Sequence, residues 1–176
     1  MRPLFAAAAA LFAASAWAQS APDFAPPATY NSVPLNQITP SMYWSAAGDF
    51  NGDGRTDLAS VDTTIDSPAG GYFNIRGFSV VLATPTGFAT PVSRSIGVLV
   101  SGVVAADFNK DGFSDLIVYG SSGSFLLLAD GTGAFGAATP LALPLTPNAL
   151  AVADFNADGN ADLAVAGATG HAVALG

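Results

Sequence analysis

Three stretches of the chain read almost alike: "DFNGDGRTDL" at Asp49–Leu58, "DFNKDGFSDL" at Asp107–Leu116 and "DFNADGNADL" at Asp154–Leu163. All 13 acidic residues of the 176-residue chain are aspartates, and nine of them lie inside these three phrases. The starts are 58 and then 47 residues apart, and the longer interval holds the insertion-like "DTTIDSPAGGYFNIRG" that begins at Asp62. Repeats of this length are the signature of stacked supersecondary units, none of which buries its apolar face alone.

Each phrase sits in a longer unit. A small and apolar strand candidate precedes it ("YWSAAGDF", "GVVAADF", "LAVADF"), and "DLASV", "DLIVYG" or "DLAVAG" follows. After a polar turn comes a third apolar run ("FSVVLA", "SFLLLA", "HAVALG"). A turn carrying Phe88 or Phe135 closes the first two units, and similar text, "PDFAPPAT" around Phe24, stands ahead of the first. Short runs punctuated by Gly, Pro, Asn and Ser, without helical periodicity after the N-terminal leader, predict an all-β fold. Counted from Phe24, Phe88 and Phe135, the chain holds three four-strand units in permuted order. That order lets the first strand close the last sheet and remove an exposed edge. A product that stops within its last unit is the other reading of the same count.

The N-terminus "MRPLFAAAAALFAASAWAQS" has one basic residue, an apolar run too short for a spanning helix, and a small-x-small site at Ala16-Trp17-Ala18. It reads as a signal peptide over residues 1–18, which makes the expected location secreted, periplasmic or extracellular. Residues 19–176 are then one repeat domain, with loops at 49–57, 107–115 and 154–162. With no cysteine in the chain, burial or bound ions must stabilise it in place of disulfides. The formal net charge of −8 falls to about −9 once Arg2 leaves with the leader, which argues against nucleic acid or an anionic membrane as partner.

Within each phrase, oxygen-bearing side chains fall at positions 1, 3, 5 and 9. They are Asp49, Asn51, Asp53 and Asp57; Asp107, Asn109, Asp111 and Asp115; and Asp154, Asn156, Asp158 and Asp162. A hard divalent cation such as calcium takes 6–8 oxygens, and alternate residues of a tight loop can converge on one. Position 7 (Arg55, Phe113, Asn160) varies in chemistry, as expected if only its carbonyl is used. Glycine at position 6 (Gly54, Gly112, Gly159) permits the left-handed turn by which the loop doubles back. Magnesium demands stricter octahedral geometry, and zinc would need more than the single His171. A helix-flanked calcium loop is excluded, because position 12 is Ser60, Val118 or Val165 rather than Glu. The opposing interpretation, a polar turn without an ion, weakens with three matched copies. About one calcium per loop, three in all, is the expected cofactor.

The pattern D-F-N-x-D-G-x-x-D-L, strand-flanked and followed by an apolar strand and a G-x-F turn, resembles the FG-GAP repeats of integrin α chains and the related VCBS repeats of exported bacterial proteins. That resemblance implies one four-stranded β-propeller blade per repeat, calcium in a hairpin loop on one face, and the ligand positions just named. It departs in count, since such propellers usually have about seven blades and this chain has material for three. Self-association into a larger ring, assembly with another chain, an open arc and a fragment are the ways to reconcile the two.

His171 alternates with apolar residues and has no nucleophile motif beside it, so a strand-face position is expected. Tyr43 and Trp44 could stack on a sugar ring if exposed, though core packing is the expectation. Arg55 either offsets the first loop's charge or points to solvent. Aspartates committed to calcium make poor proton donors, so the loops are not read as a glycosidase pair. The expected function is a non-catalytic, calcium-binding module for a protein or carbohydrate ligand. The alternative is an accessory lectin-like domain, or a fragment, of a carbohydrate-active enzyme.

Overall fold

A computed structural model describes residues 44–62 and 77–176. The strands before and after the first phrase form a hairpin, β1 (Ser45–Gly48) against β2 (Asp57–Asp62), with Ala47 opposite Leu58 and Gly48 opposite Asp57. β3 (Gly77–Val81) adds to β2, a short hairpin of β4 (Ala83–Thr84) and β5 (Gly87–Phe88) follows, and β6 (Val92–Ser95) returns to β3. The first sheet is therefore four-stranded and antiparallel throughout, in the order β1-β2-β3-β6.

The second unit repeats this layout with β7 (Gly102–Ala106), β8 (Asp115–Gly120), β9 (Gly123–Leu127) and β10 (Thr139–Leu141). An isolated bridge between Ala129 and Phe135 stands where the first unit has β4 and β5. The third unit has β11 (Pro147–Ala153), β12 (Asp162–Gly167) and β13 (Gly170–Ala174), and its described sheet stops at three strands. Among the described residues there is no helix, and none is therefore long and apolar enough to cross a membrane. The expected all-β class and blade-like antiparallel sheets are what the structure shows. The expected fourth strand near Phe24, and most of the insertion after the first loop, lie outside the described residues.

Alternation along the strands explains how the sheets stack, because successive side chains point to opposite faces. In β2, Ala59 and Val61 are buried against the second sheet, which answers with Leu116 and Val118. In β8 the intervening Ile117 faces the third sheet and meets Leu163 and Val165 of β12. In the second phrase positions 10 and 12 thus face the first sheet and position 11 faces the third. Phe50, Phe78 and Phe135 knit the first interface, with ring centroids 5.4 and 5.7 Å apart in edge-to-face geometry.

The turn between β8 and β9 shows how little room remains. A Cβ on Gly120 would overlap the Leu99 carbonyl, and Gly123, three residues on, has a φ of 117°. Gly120→Ala is expected to cost about 2–3 kcal/mol, the range for forcing atoms into a packed site, read as a lowered urea midpoint at unchanged slope.

Candidate metal centre

The three phrases form the β1–β2, β7–β8 and β11–β12 hairpin loops. The first loop is tied directly to the second, where the Ser114 amide donates to the Asp49 carbonyl at 2.7 Å and the Asp49 amide to Ser114 Oγ at 3.2 Å. The Phe113 ring rests on Gly52 of the first loop and on Gly131 of the following turn, so a side chain at either glycine would collide with it. The first and second loops are in this way held side by side at one end of the sheets.

Inside each loop the polar side chains close on the loop's own backbone. Asp49 accepts from the amides of Gly52 and Asp53 on one oxygen, at 2.7 and 3.2 Å, and from Gly54 on the other at 2.8 Å. Asp107 takes the amides of Asp111 and Gly112, and Asp154 those of Asp158 and Gly159, in the same manner. Position 3 accepts from the amide of position 5 and donates its own NH2 to that aspartate, as in Asn109 with Asp111 at 3.0 and 2.8 Å. Position 5 then accepts the amide of position 7, whether Arg55, Phe113 or Asn160.

Position 6 has the left-handed conformation expected of its glycine, with φ of 78°, 92° and 82° in the three copies. Position 4 is left-handed as well, and only the first copy has glycine there; Lys110 and Ala157 hold φ of 62° and 61°. Gly52 is the one sequence signal for this, and it stands beside the glycine two residues later that all three copies share. Since a non-glycine residue in this region costs about 1–2 kcal/mol, Ala157→Gly is expected to raise stability by about 0.5–1 kcal/mol after the added freedom of the unfolded chain is counted. A thermal melt of the variant checks it.

Position 9 does something the sequence pattern did not reveal. Asp57, Asp115 and Asp162 are fully buried, and each spans two backbone segments. One oxygen accepts the amide of position 2 (Phe50, Phe108 or Phe155) at 2.8–3.0 Å. The other accepts an amide just beyond the third strand (Ala83, Ala129 or Gly176) at 2.7–2.8 Å. Each of these aspartates fastens the start of its loop to the far side of the same sheet, and each oxygen keeps a second lone pair.

Electrostatics follow the bonding. For Asp53, desolvation pushes upward, but the Arg55 amide, the Asn51 side chain and the Arg55 guanidinium together hold the carboxyl below its ordinary range. Arg55 Nη2 lies 2.5 Å from Asp53 Oδ2, so of its two expected roles it takes that of offsetting charge. Asp158 is held low by the Asn160 amide, then by the Asn156 side chain, with Lys110 of the second loop adding its charge. Burial pushes Asp115 up, against the pull of the Ala129 and Phe108 amides.

Among the described residues no three His, Cys, Asp or Glu side chains stand together as a preformed metal cage. Positions 1, 3 and 5 are gathered by hydrogen bonds, while position 9 is turned onto main-chain amides. The donor chemistry fits a hard cation, since each loop offers carboxylates at 1, 5 and 9, an amide oxygen at 3 and the carbonyl at 7.

Of the other singled-out residues, His171 lies on β13 opposite Ala166, exposed on a strand face as expected. Trp44 does not pack into the core: it stands exposed at the end of β1 away from the loop, with its carbonyl accepting the Val61 amide. Tyr43 lies outside the described residues. Asp130 lies outside the three loops, and the Thr132 hydroxyl, followed by the Thr132 amide, holds its carboxyl low.

No curated protein matches the chain. Over residues 107–165, from the first aspartate of the second loop into β12 of the third sheet, the chain matches the family model of the FG-GAP-like repeat.

Proposed function

We propose that this chain is a secreted, calcium-binding repeat module of propeller type that holds a protein or carbohydrate ligand without chemistry of its own. The observation that supports this most is the threefold recurrence of one oxygen-rich loop, with the same internal bonding in each copy, at the same hairpin of each sheet. Without an ion, carboxylates gathered at positions 1 and 5 repel one another; a divalent cation would offset their charge. Binding draws in positions 1, 3 and 5, whose side chains otherwise bond the loop's own amides, and the carbonyl of position 7, while the position-9 carboxylate keeps its place on the sheet and offers a remaining lone pair. The ligand would then meet loops displayed on a rigid scaffold.

The Asp130 carboxyl is not suited to act as a general acid. A general acid needs a raised value, and this one is lowered by its threonine partner. Among ligand classes, exposed Trp44 favours carbohydrate, whose rings stack on indole faces.

Calorimetric titration of calcium into the chelator-stripped chain tests the metal claim. Saturation at about three ions per chain is expected, one for each oxygen-rich loop, with Asp107→Ala removing one of them. Absence of binding heat at any temperature, with no calcium retained after desalting, would overturn it.

A further inference from the structure

The first two sheets pack through β1, β2 and β7, and farther out, between β3, β6 and the turn before Phe135, they leave a slot. Phe78 and Val80 of β3, and Leu82 just beyond it, share one face, since alternate residues of a strand point the same way. Pairing with β6 sets Arg94 beside Phe78 and Val92 beside Val80. Phe135 of the second unit stands across from them, its ring centroid 5.7 Å from that of Phe78. These residues and the Thr132–Ala134 turn line a space of about 280 Å³, room for roughly nine water-sized groups. The slot follows the chain from Phe78 to Leu82, roughly 14 Å at the rise of a strand. A Cβ on Gly133 would overlap Leu82, so the turn closes the far end, while Val92, 69% exposed, marks the open side.

The next unit solves the same place differently. There Ser124 pairs with Leu141 and Leu126 with Thr139, and Leu126 and Leu141 pack on the cluster that holds Leu163 and Val165. The place that Leu141 takes in the second sheet is held in the first by Arg94. The exchange removes an aliphatic filling and brings a charge to a mostly apolar wall.

No acid balances that charge among the described residues, where the ion pair is that of Arg55 with Asp53. Arg94 Nη1 instead donates to the Phe135 carbonyl and Nη2 to the Gly136 carbonyl, the latter at 2.7 Å. Two main-chain carbonyls thus hold the guanidinium across the sheets without neutralising it. A guanidinium has five N–H donors in a fixed fork, which matches the two oxygens of a carboxylate. Its pull on an anion is stronger beside apolar walls than in open water. A single negative charge suits it better than a phosphate dianion, because one cation faces the ligand in a chain whose net charge is −8.

We propose that the slot between the first two sheets binds a small amphipathic carboxylate, with the carboxyl group on Arg94 and the apolar body along Phe78, Val80 and Leu82. The volume suits a body of roughly eight or nine carbon-sized groups. Apolar walls with a few polar groups that fix orientation are the usual form of a small-molecule site. The site is separate from the aspartate loops and does not depend on their holding calcium.

Calorimetric titration of octanoate into the full chain tests it. Saturation at about one octanoate per chain is expected, with octan-1-ol, which keeps the apolar body and loses the charge, bound at least about tenfold more weakly. Octylamine, with the opposite charge, should not bind. Arg94→Met is expected to abolish the preference for octanoate over octanol. Ala134→Trp, a substitution at the exposed rim of the slot, is expected to block both ligands with the far-ultraviolet β signature kept. Absence of saturable octanoate binding to the wild-type chain would overturn the proposal. So would equal affinity for octanoate and octanol, or octanoate binding that neither variant changes.

Discussion

Replacing Asp115 by alanine is expected to lower the stability of the calcium-free protein by about 3–4 kcal/mol. The Phe108 and Ala129 amides lose their acceptors inside the protein, at about 1–3 kcal/mol each. A small cavity adds to that loss. The carboxyl itself is pushed up by burial, so its removal also relieves some desolvation and the net stays below the sum. For a chain of this length that corresponds to roughly 6–16 °C in melting temperature. Asp111→Ala, measured the same way, should stay within about 1 kcal/mol, because its partners reach solvent. Equal losses from the two variants would show that position 9 has no special role in holding the sheet.

This contrast also marks the limit of what the sequence made legible. The strand order of each unit was readable from the recurring phrase and its apolar flanks, because a period of two and a period near fifty are both visible in text. Left-handed glycine at position 6 was readable for the same reason, as only one residue type serves there. The pinning role of Asp57, Asp115 and Asp162 was not, because the Ala83, Ala129 and Gly176 amides they bind belong to no side-chain pattern. A backbone donor leaves no letter in the sequence. Trp44 departs from expectation on similar grounds: its size suggests core, but at the strand end no facing sheet among the described residues covers it. The expected leader and the expected strand near Phe24 fall on residues outside the structural description.

Removal of calcium is expected to have the largest effect of all. A ligand that binds only the folded state adds about 2.7 kcal/mol per site at a hundredfold excess over its dissociation constant, so three loops add about 8 kcal/mol. Relief of repulsion between the aspartates at positions 1 and 5 contributes within that figure, since it is part of what binding releases. The stabilisation translates to roughly 16–32 °C, large against the 5–15 kcal/mol typical of a whole domain. Magnesium at equal concentration should recover only part of it, because the loops offer more and looser oxygen contacts than an octahedral ion accepts. The effect should also be shared among loops, so that losing one by Asp107→Ala leaves about two thirds of the shift. The direct measurement is a pair of thermal melts of the full chain, one in excess calcium and one in excess chelator. The account predicts a melting temperature higher in calcium by at least about 15 °C; coincident melts would contradict it.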